Sequence, residues 1–240
     1  MPLDILLTVA MTSLIQSIFG VGVLLFGTPI LLALGYDFIK AITILLPISL
    51  TINLFQIIKD YKKIDADFYK KIVFYTIPFI VLSLFFITTF KANIGIIVGI
   101  FLLIIAIKDY FLQLKNAIEF LTKYEKAYLA AMGIIHGVTN LGGSLLTAII
   151  HNKNYEKNVT RATVAASYAT FAAFQIATLF LSADLSNINF IENGLYLIVG
   201  IIVFIITETT IYMEINNQKY NKYFAIFLLG SGLLLCFKSI

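Results

Sequence analysis

Two short stretches hold most of the polar chemistry inside the apolar part of this chain. One is "SLIQSIFGVGVLLFG" at residues 13–27, followed at once by Thr28 and Pro29. The other is "GIIHGVTNLGGSLLT" at residues 133–147. At an offset of 120 residues Gln16 falls over His136, Gly20 over Asn140 and Gly22 over Gly142. Further on, "LFQI" at 54–57 lies over "AFQI" at 173–176 at an offset of 119, which relates Gln56 to Gln175. Gly and Pro weaken a helix most, and polar side chains at membrane depth are costly. A helix that carries both is interrupted for a purpose.

The chemistry this pattern suits is the holding of an anion. A helix restarts after each interruption, near Val23 in the first stretch and near Ser144 in the second. The first turn of a helix carries unpaired N–H groups and a partial positive charge, so it favours a negative ligand. Gly20, Gly22, Gly142 and Gly143 let such a ligand approach the backbone closely. A bulky side chain at Gly22 or Gly142 would fill the space the ligand needs and forbid any left-handed backbone there. Gln16, Gln56, His136, Asn140, Ser144 and Gln175 would supply hydrogen bonds around them. The expected substrate-binding set is therefore Gln16, Gly20, Gly22, Val23, Gln56, His136, Asn140, Gly142, Gly143, Ser144 and Gln175.

Each of these residues has a plainer use. Glycines in membrane helices also permit close packing, and Gly20, Gly27 and Gly35 fit that role too. Four polar or small residues in the five from Asn140 to Ser144 fit it poorly. His136 can exchange a proton near neutral pH, which makes it the candidate for proton coupling, or it can be a hydrogen-bonding packing residue. Arg161, the sole arginine, reads better as an interfacial charge than as an anion ligand. Glu208 reads as a group that reaches the interface. The lysines at 59–63 and 70–71 read as membrane-surface anchors, not as a nucleic-acid site.

The elements that position these residues follow from composition. The chain has 240 residues, 60% of them hydrophobic and 12% charged, with a mean hydropathy of +0.95. That is too few charges to wet the surface of a soluble globule of this size. The expectation is an all-α, multi-pass integral membrane protein of the cell membrane. At ~20 residues per span, the chain accommodates roughly eight hydrophobic segments. They fall at residues 3–34, 40–58, 72–90, 92–107, 127–150, 161–182, 191–212 and 223–237. Between the fourth and fifth lies an amphipathic stretch in which Phe111, Leu114, Ile118 and Leu121 recur at steps of three and four. The first residues lack a basic region and carry Asp4, so they read as mature chain and not as a cleavable signal. A single cysteine, Cys236, excludes an internal disulfide and a cysteine metal cluster; no metal and no cofactor are expected.

The order of features suggests duplication: a broken segment, then three further segments, then the same again. The expected organisation is a single membrane domain of two repeats, 1–120 and 121–240. Charge placement bears on their relative orientation. If all eight segments cross, the 17 Lys and Arg divide 10 to 7 between the two sides. If segments one and five enter and return, they divide 14 to 3, with only Lys40, Lys91 and Lys238 on the poorer side. The second division is what cytoplasmic enrichment of Lys and Arg gives. It leaves three crossings per repeat, so the second repeat is inverted relative to the first.

The Gly-rich turn of "GVGVLLFGTPILLALG", echoed by the Gly-Gly turn of "GIIHGVTNLGGSLLT", resembles the TauE/SafE family of membrane transporters, the sulfite exporter or toluene-sulfonate uptake permease family. The resemblance covers the chain in length and layout. The first turn departs from the family's run of adjacent glycines by reading Gly20-Val21-Gly22-Val23, and Ile149 stands where a matching proline would fall. The resemblance implies a sulfur-containing anion, such as sulfite or an organosulfonate, as substrate. The expected function is a secondary transporter of a small anion, with the lipid bilayer as surroundings and no nucleic-acid partner. Its oligomeric state is open, with a homodimer as one arrangement. The chain lacks GxxxxGK[ST], so it does not bind ATP through that motif. A passive anion pore and a membrane-embedded enzyme are the competing classes. The second is short of groups: two histidines, one cysteine and no HExxH.

Overall fold

The computed structural model describes residues 2–90, 94–107, 111–151, 153, 155–186, 188–210 and 233. The described chain is helical. It runs α1 (Leu3–Phe19), α2 (Val23–Ala33), α3 (Phe38–Asp60), a 3-10 turn (Tyr61–Lys63), α4 (Ala66–Phe90), α5 (Gly95–Ile107), α6 (Leu112–Thr122), α7 (Glu125–Thr139), α8 (Gly143–His151), α9 (Lys157–Ser182) and α10 (Phe190–Thr210). Among the described residues, four helices are long and apolar enough to cross a membrane, within residues 38–63, 66–90, 158–182 and 190–208. Of the expected eighth segment, 223–237, Leu233 alone lies within the described residues, and Cys236 lies outside them. α4 begins six residues before the expected 72, because the Asp65 carboxylate caps it by accepting from the amides of Asp67 and Phe68. Asp37 does the same for α3, accepting from the Lys40 amide at 2.9 Å.

Neither broken segment continues in one direction. α2 folds back on α1, so that Tyr36, just past α2, donates its hydroxyl to the carboxylate of Asp4 in the first turn of α1. α8 folds back on α7 in the same way. Lys153 pairs with Glu125 at 3.0 Å, and the Tyr128 hydroxyl donates to the Leu145 carbonyl. Each segment is a hairpin with its glycine-rich break at the tip. At 17 and 15 residues, α1 and α7 rise only about 22–26 Å, short of the ~30 Å hydrocarbon core.

The two hairpins open toward opposite ends of the bundle. The mouth of α7–α8 sits where α4 begins: Lys71 also pairs with Glu125, and Lys153 lies over the Phe68 ring. The mouth of α1–α2 sits at the end where α9 finishes and α10 begins. α7 packs against α4, with Thr76 donating to the Leu129 carbonyl. α1 packs against α10, with Gly200 beside Val9 and Ser13. Thus each hairpin's first helix is packed by a long helix from the other half, and α3 and α9 pack against each other between them. Among the described residues, Lys59, Lys62, Lys63, Lys70, Lys71, Lys123, Lys126, Lys153 and Arg161 gather at the end where α4, α7 and α9 begin, and Lys40 lies at the other.

The core is apolar and continuous, from Ile5 and Val9 through Ile42, Leu45, Leu46 and Ile48 to Leu129, Met132 and Phe171. The outer faces are apolar too. Phe74, Leu82, Phe86 and Phe90 of α4 and Ile191, Ile198 and Ile206 of α10 are exposed. A belt of this kind would be a liability in water and is the surface that a bilayer covers. The chain is a helical membrane protein.

Candidate functional site

Both breaks are made by one residue in the left-handed region. At the first it is Gly20, φ 75°; at the second it is Asn140, φ 63°. These residues stand 120 apart, and each donates its backbone N–H to the carbonyl four before it, Gln16 or His136. Asparagine is among the few side chains that tolerate this conformation. Gly22 and Gly142 are not the left-handed residues of these turns. Gly22 has φ 178°, an extended backbone open to any residue, and Gly142 is not among the residues with positive φ. They are glycines for lack of space. A Cβ on Gly22 would stand 2.6 Å from the Gln16 backbone nitrogen and 2.8 Å from the Thr12 carbonyl oxygen. A Cβ on Gly142 would stand 2.5 Å from the Cβ of His136.

The start of α2 is closed by a side chain of α1. The Val23 amide donates to Gln16 Oε1 at 2.9 Å, so this helix start is already capped. Gln16 Nε2 donates to Asn53 Oδ1 at 3.3 Å, and Asn53 donates to the carbonyl and hydroxyl of Ser49. All are buried: Gln16 is 2% exposed and Asn53 0%.

The second break is wired differently. His136 Nε2 lies 3.2 Å from Gln175 Oε1, Gln175 Nε2 donates to Asn140 Oδ1, and Asn140 Nδ2 donates to Thr28 Oγ1 at 2.9 Å. Thr28 belongs to α2, so this chain of bonds joins the tip of one hairpin to the flank of the other. Thr28 stands five residues past Val23, about 7.5 Å along α2. The second tip thus meets the side of α2 beyond its start. With Gln175 Oε1 as the acceptor, Nε2 carries the proton and Nδ1 presents a lone pair. That Nδ1 is buried and has no hydrogen-bond partner. A Cβ on Gly142 would be 3.1 Å from it, so it faces the restart of the helix. The Ser144 hydroxyl is spent locally, donating to the Leu141 carbonyl.

Among the expected residues the structure brings together Gln16, Gly22 and Val23 in one cluster, and His136, Asn140, Gly142 and Gln175 in another. Gln56 stands apart: it is 2% exposed, and neither end of its amide has a hydrogen-bond partner. Its place opposite the first break is taken by Asn53, one turn earlier. Sequence reasoning also missed Thr28 and Tyr168. The Tyr168 hydroxyl lies where a Cβ on Gly143 would be, and its ring meets His136 edge-on at 6.1 Å. A signal for Tyr168 was present: Arg161, Tyr168 and Gln175 follow at steps of seven on α9, hence on one face. Arg161 lies at the lysine-rich end, as expected, but its Cγ is also 3.5 Å from the Cβ position of Gly20. One stripe of α9 therefore touches both breaks.

Comparison with known proteins adds an independent line. No curated protein and no solved structure matches the chain. A family model described as sulfite exporter TauE/SafE matches residues 5–235, nearly the whole length. With both broken hairpins inside that match, the chain belongs to the TauE/SafE sulfite exporter family, a family of membrane transporters and not of enzymes.

Proposed function

We propose that this protein is a secondary transporter of a small sulfur-containing anion, sulfite or a short organosulfonate, bound between the two hairpin tips. The observation that carries the reading is the meeting of the hairpins. They enter from opposite ends, join through Asn140 and Thr28, and leave the buried His136 Nδ1 and the Gln56 amide without partners. Broken helices in matching positions of two halves are the usual location of a transporter's substrate site. Non-helical backbone at depth is tolerated where it is packed in protein or lines a cavity. In this reading residues 1–120 and 121–240 are inverted repeats of one membrane domain, multi-pass in the cell membrane. The crossed packing of α4 on α7 and α10 on α1 supports it. The lysine-rich end faces the cytoplasm.

The ligand is held by Gln16, Gly20, Gly22, Val23 and Gln56 on one side and His136, Asn140, Gly142, Gly143, Ser144 and Gln175 on the other. To reach the amide of Val23 an anion displaces the side-chain oxygen of Gln16, one acceptor for another. His136 couples the cycle to protons. A proton taken on Nδ1 turns a lone pair into a charged donor facing the second break, which an anion then neutralises. Rocking of one half against the other exposes the site alternately.

Flux into proteoliposomes tests this. Labelled sulfite or methanesulfonate is expected to enter with saturation and to show counterflow against an unlabelled pool. Flux without saturation or counterflow would identify a passive pore, and conversion of the substrate would identify an enzyme.

A further inference from the structure

Asn53, Gln56 and Lys59 follow one another on α3 at steps of three, so they are neighbours along one side of the helix. Asn53 reaches the first break by bonding Gln16. Lys59 Nζ lies 3.5 Å from Glu208 Oε1 on α10, and the same oxygen pairs with Nη2 of Arg161 on α9. Arg161 in turn lies against Gly20, at the tip of that break. The chain of contacts closes on itself, with the unpartnered Gln56 amide on the stripe between Asn53 and Lys59. The Arg161 and Glu208 side chains are only 13% and 15% exposed. Among the described residues two cations meet this one carboxylate, Arg161 from a largely buried place and Lys59 from one that is 61% exposed.

We propose that Arg161 is a ligand of the transported anion, with Gln56 donating to the same anion, and that Glu208 is its internal substitute in the empty protein. This deepens the proposed function and rests on it. A guanidinium offers paired donors that match a carboxylate and a sulfur oxyanion alike. When the anion arrives, Arg161 changes partner and Glu208 stays with Lys59. The exchange also loosens a tie between α9 and α10, so occupancy of the site is linked to the packing of those helices.

The test is calorimetric binding of methanesulfonate, an anion at every pH used, to the purified full chain in detergent, with sulfite as a second probe. Glu208→Gln removes the competitor and is expected to tighten binding about tenfold, while Arg161→Gln weakens it at least tenfold. Arg161→Lys keeps the charge without the fork and recovers part of the loss. The double variant Arg161→Gln with Glu208→Gln leaves no lone buried charge, so it should fold even where the single arginine variant does not, and it should bind as weakly as that variant. Parental affinity in the double variant, or unchanged or weaker affinity in a monodisperse Glu208→Gln protein, would overturn the assignment. A parent that binds neither probe would overturn the proposed function itself, and this inference with it.

Discussion

The two breaks use one backbone device and opposite side-chain solutions. At both, a single left-handed residue ends the first helix, and a glycine two positions on lies too close to that helix to carry a side chain. At the first break the left-handed residue is Gly20, which contributes no polar group, and Gln16 caps the new helix. At the second it is Asn140, whose side chain bonds both Thr28 and Gln175, and the counterpart of Gln16 is His136, whose free ring nitrogen caps nothing. The first break is sealed by its own hairpin. The second is tied to its neighbours and keeps one reactive atom in hand. Symmetric backbones can thus carry different side chains, and the proposed anion recruitment beside Arg161 and proton exchange at His136 divide along that difference.

The largest difference between the breaks should appear on filling the two close glycines. In Gly22→Val the new Cβ meets backbone atoms of α1 at 2.6 and 2.8 Å, which cannot move without unwinding the helix. We expect a loss beyond the roughly 1–3 kcal/mol of ordinary overpacking, seen as little folded protein in detergent. In Gly142→Val the new Cβ meets the Cβ of His136 at 2.5 Å and its ring at 3.1 Å, so the short turn shifts together with the ring. This variant should remain monodisperse, with a smaller drop in melting temperature, but lose anion binding as the imidazole is displaced. Equal stability of the two variants would mean that the breaks are packed alike.

The left-handed pair sharpens the comparison. Asn140→Ala forfeits about 1–2 kcal/mol of backbone tolerance and two side-chain hydrogen bonds of roughly 0.5–1.5 kcal/mol each. Asn140→Gly forfeits the hydrogen bonds alone and should lie between it and the parent in chemical unfolding. Gly20→Asn should be close to neutral, because a Cβ there meets only Arg161 Cγ at an ordinary 3.5 Å. A strongly destabilised Gly20→Asn would refute the equivalence of the two positions.

In the proposed cycle the free nitrogen separates the breaks in function. His136→Gln puts at the second break the residue type that closes the first. Methanesulfonate uptake by the parent should fall as pH rises and His136 loses its proton. His136→Gln should give a flat profile while binding at one fixed pH survives within a few-fold. A profile that still falls with pH would place the coupling proton elsewhere.

Sequence reasoning located both breaks because glycine, proline and amides are conspicuous in an apolar run. It also favoured re-entry over crossing, because lysine placement reports on sidedness; the Asp4–Tyr36 and Glu125–Lys153 contacts show that each broken segment does return. It did not single out Gly20 and Asn140 as the left-handed residues of the two turns. Glycine marks permission and not use, and the geometry of a turn is settled by what packs on it. The roles of Thr28, Asn53 and Tyr168 were missed because they come from contacts across 112, 37 and 25 residues of sequence. The start of α4 was set too late because hydropathy does not register a cap, although Asp65 three residues before Phe68 is a capping signal in plain view.

The smallest expected effect lies at the hairpin mouths. The mouth of α1–α2 is closed by a hydroxyl on a carboxylate, Tyr36 on Asp4. The mouth of α7–α8 is braced by charge, and beside it the Tyr155 hydroxyl donates to Asp65 in the loop before α4. The amide of Phe68 first, then the Tyr155 hydroxyl, hold the Asp65 carboxyl below its ordinary range, with burial opposing and the Asp67 amide and Lys153 assisting. The folded value is below the unfolded one. Ionised Asp65 therefore stabilises the fold fully above the usual carboxylate range, and that contribution is lost as pH falls through the depressed folded value. Asp65→Asn should lower stability near neutral pH by on the order of 1 kcal/mol, and the gap to the parent should close in acid. Because the cap and the tyrosine both lie outside the spanning helices, methanesulfonate affinity should not change. If the gap stayed constant with pH, the loss would come from the shape of the side chain and not from its charge, and the two mouths would differ in geometry alone.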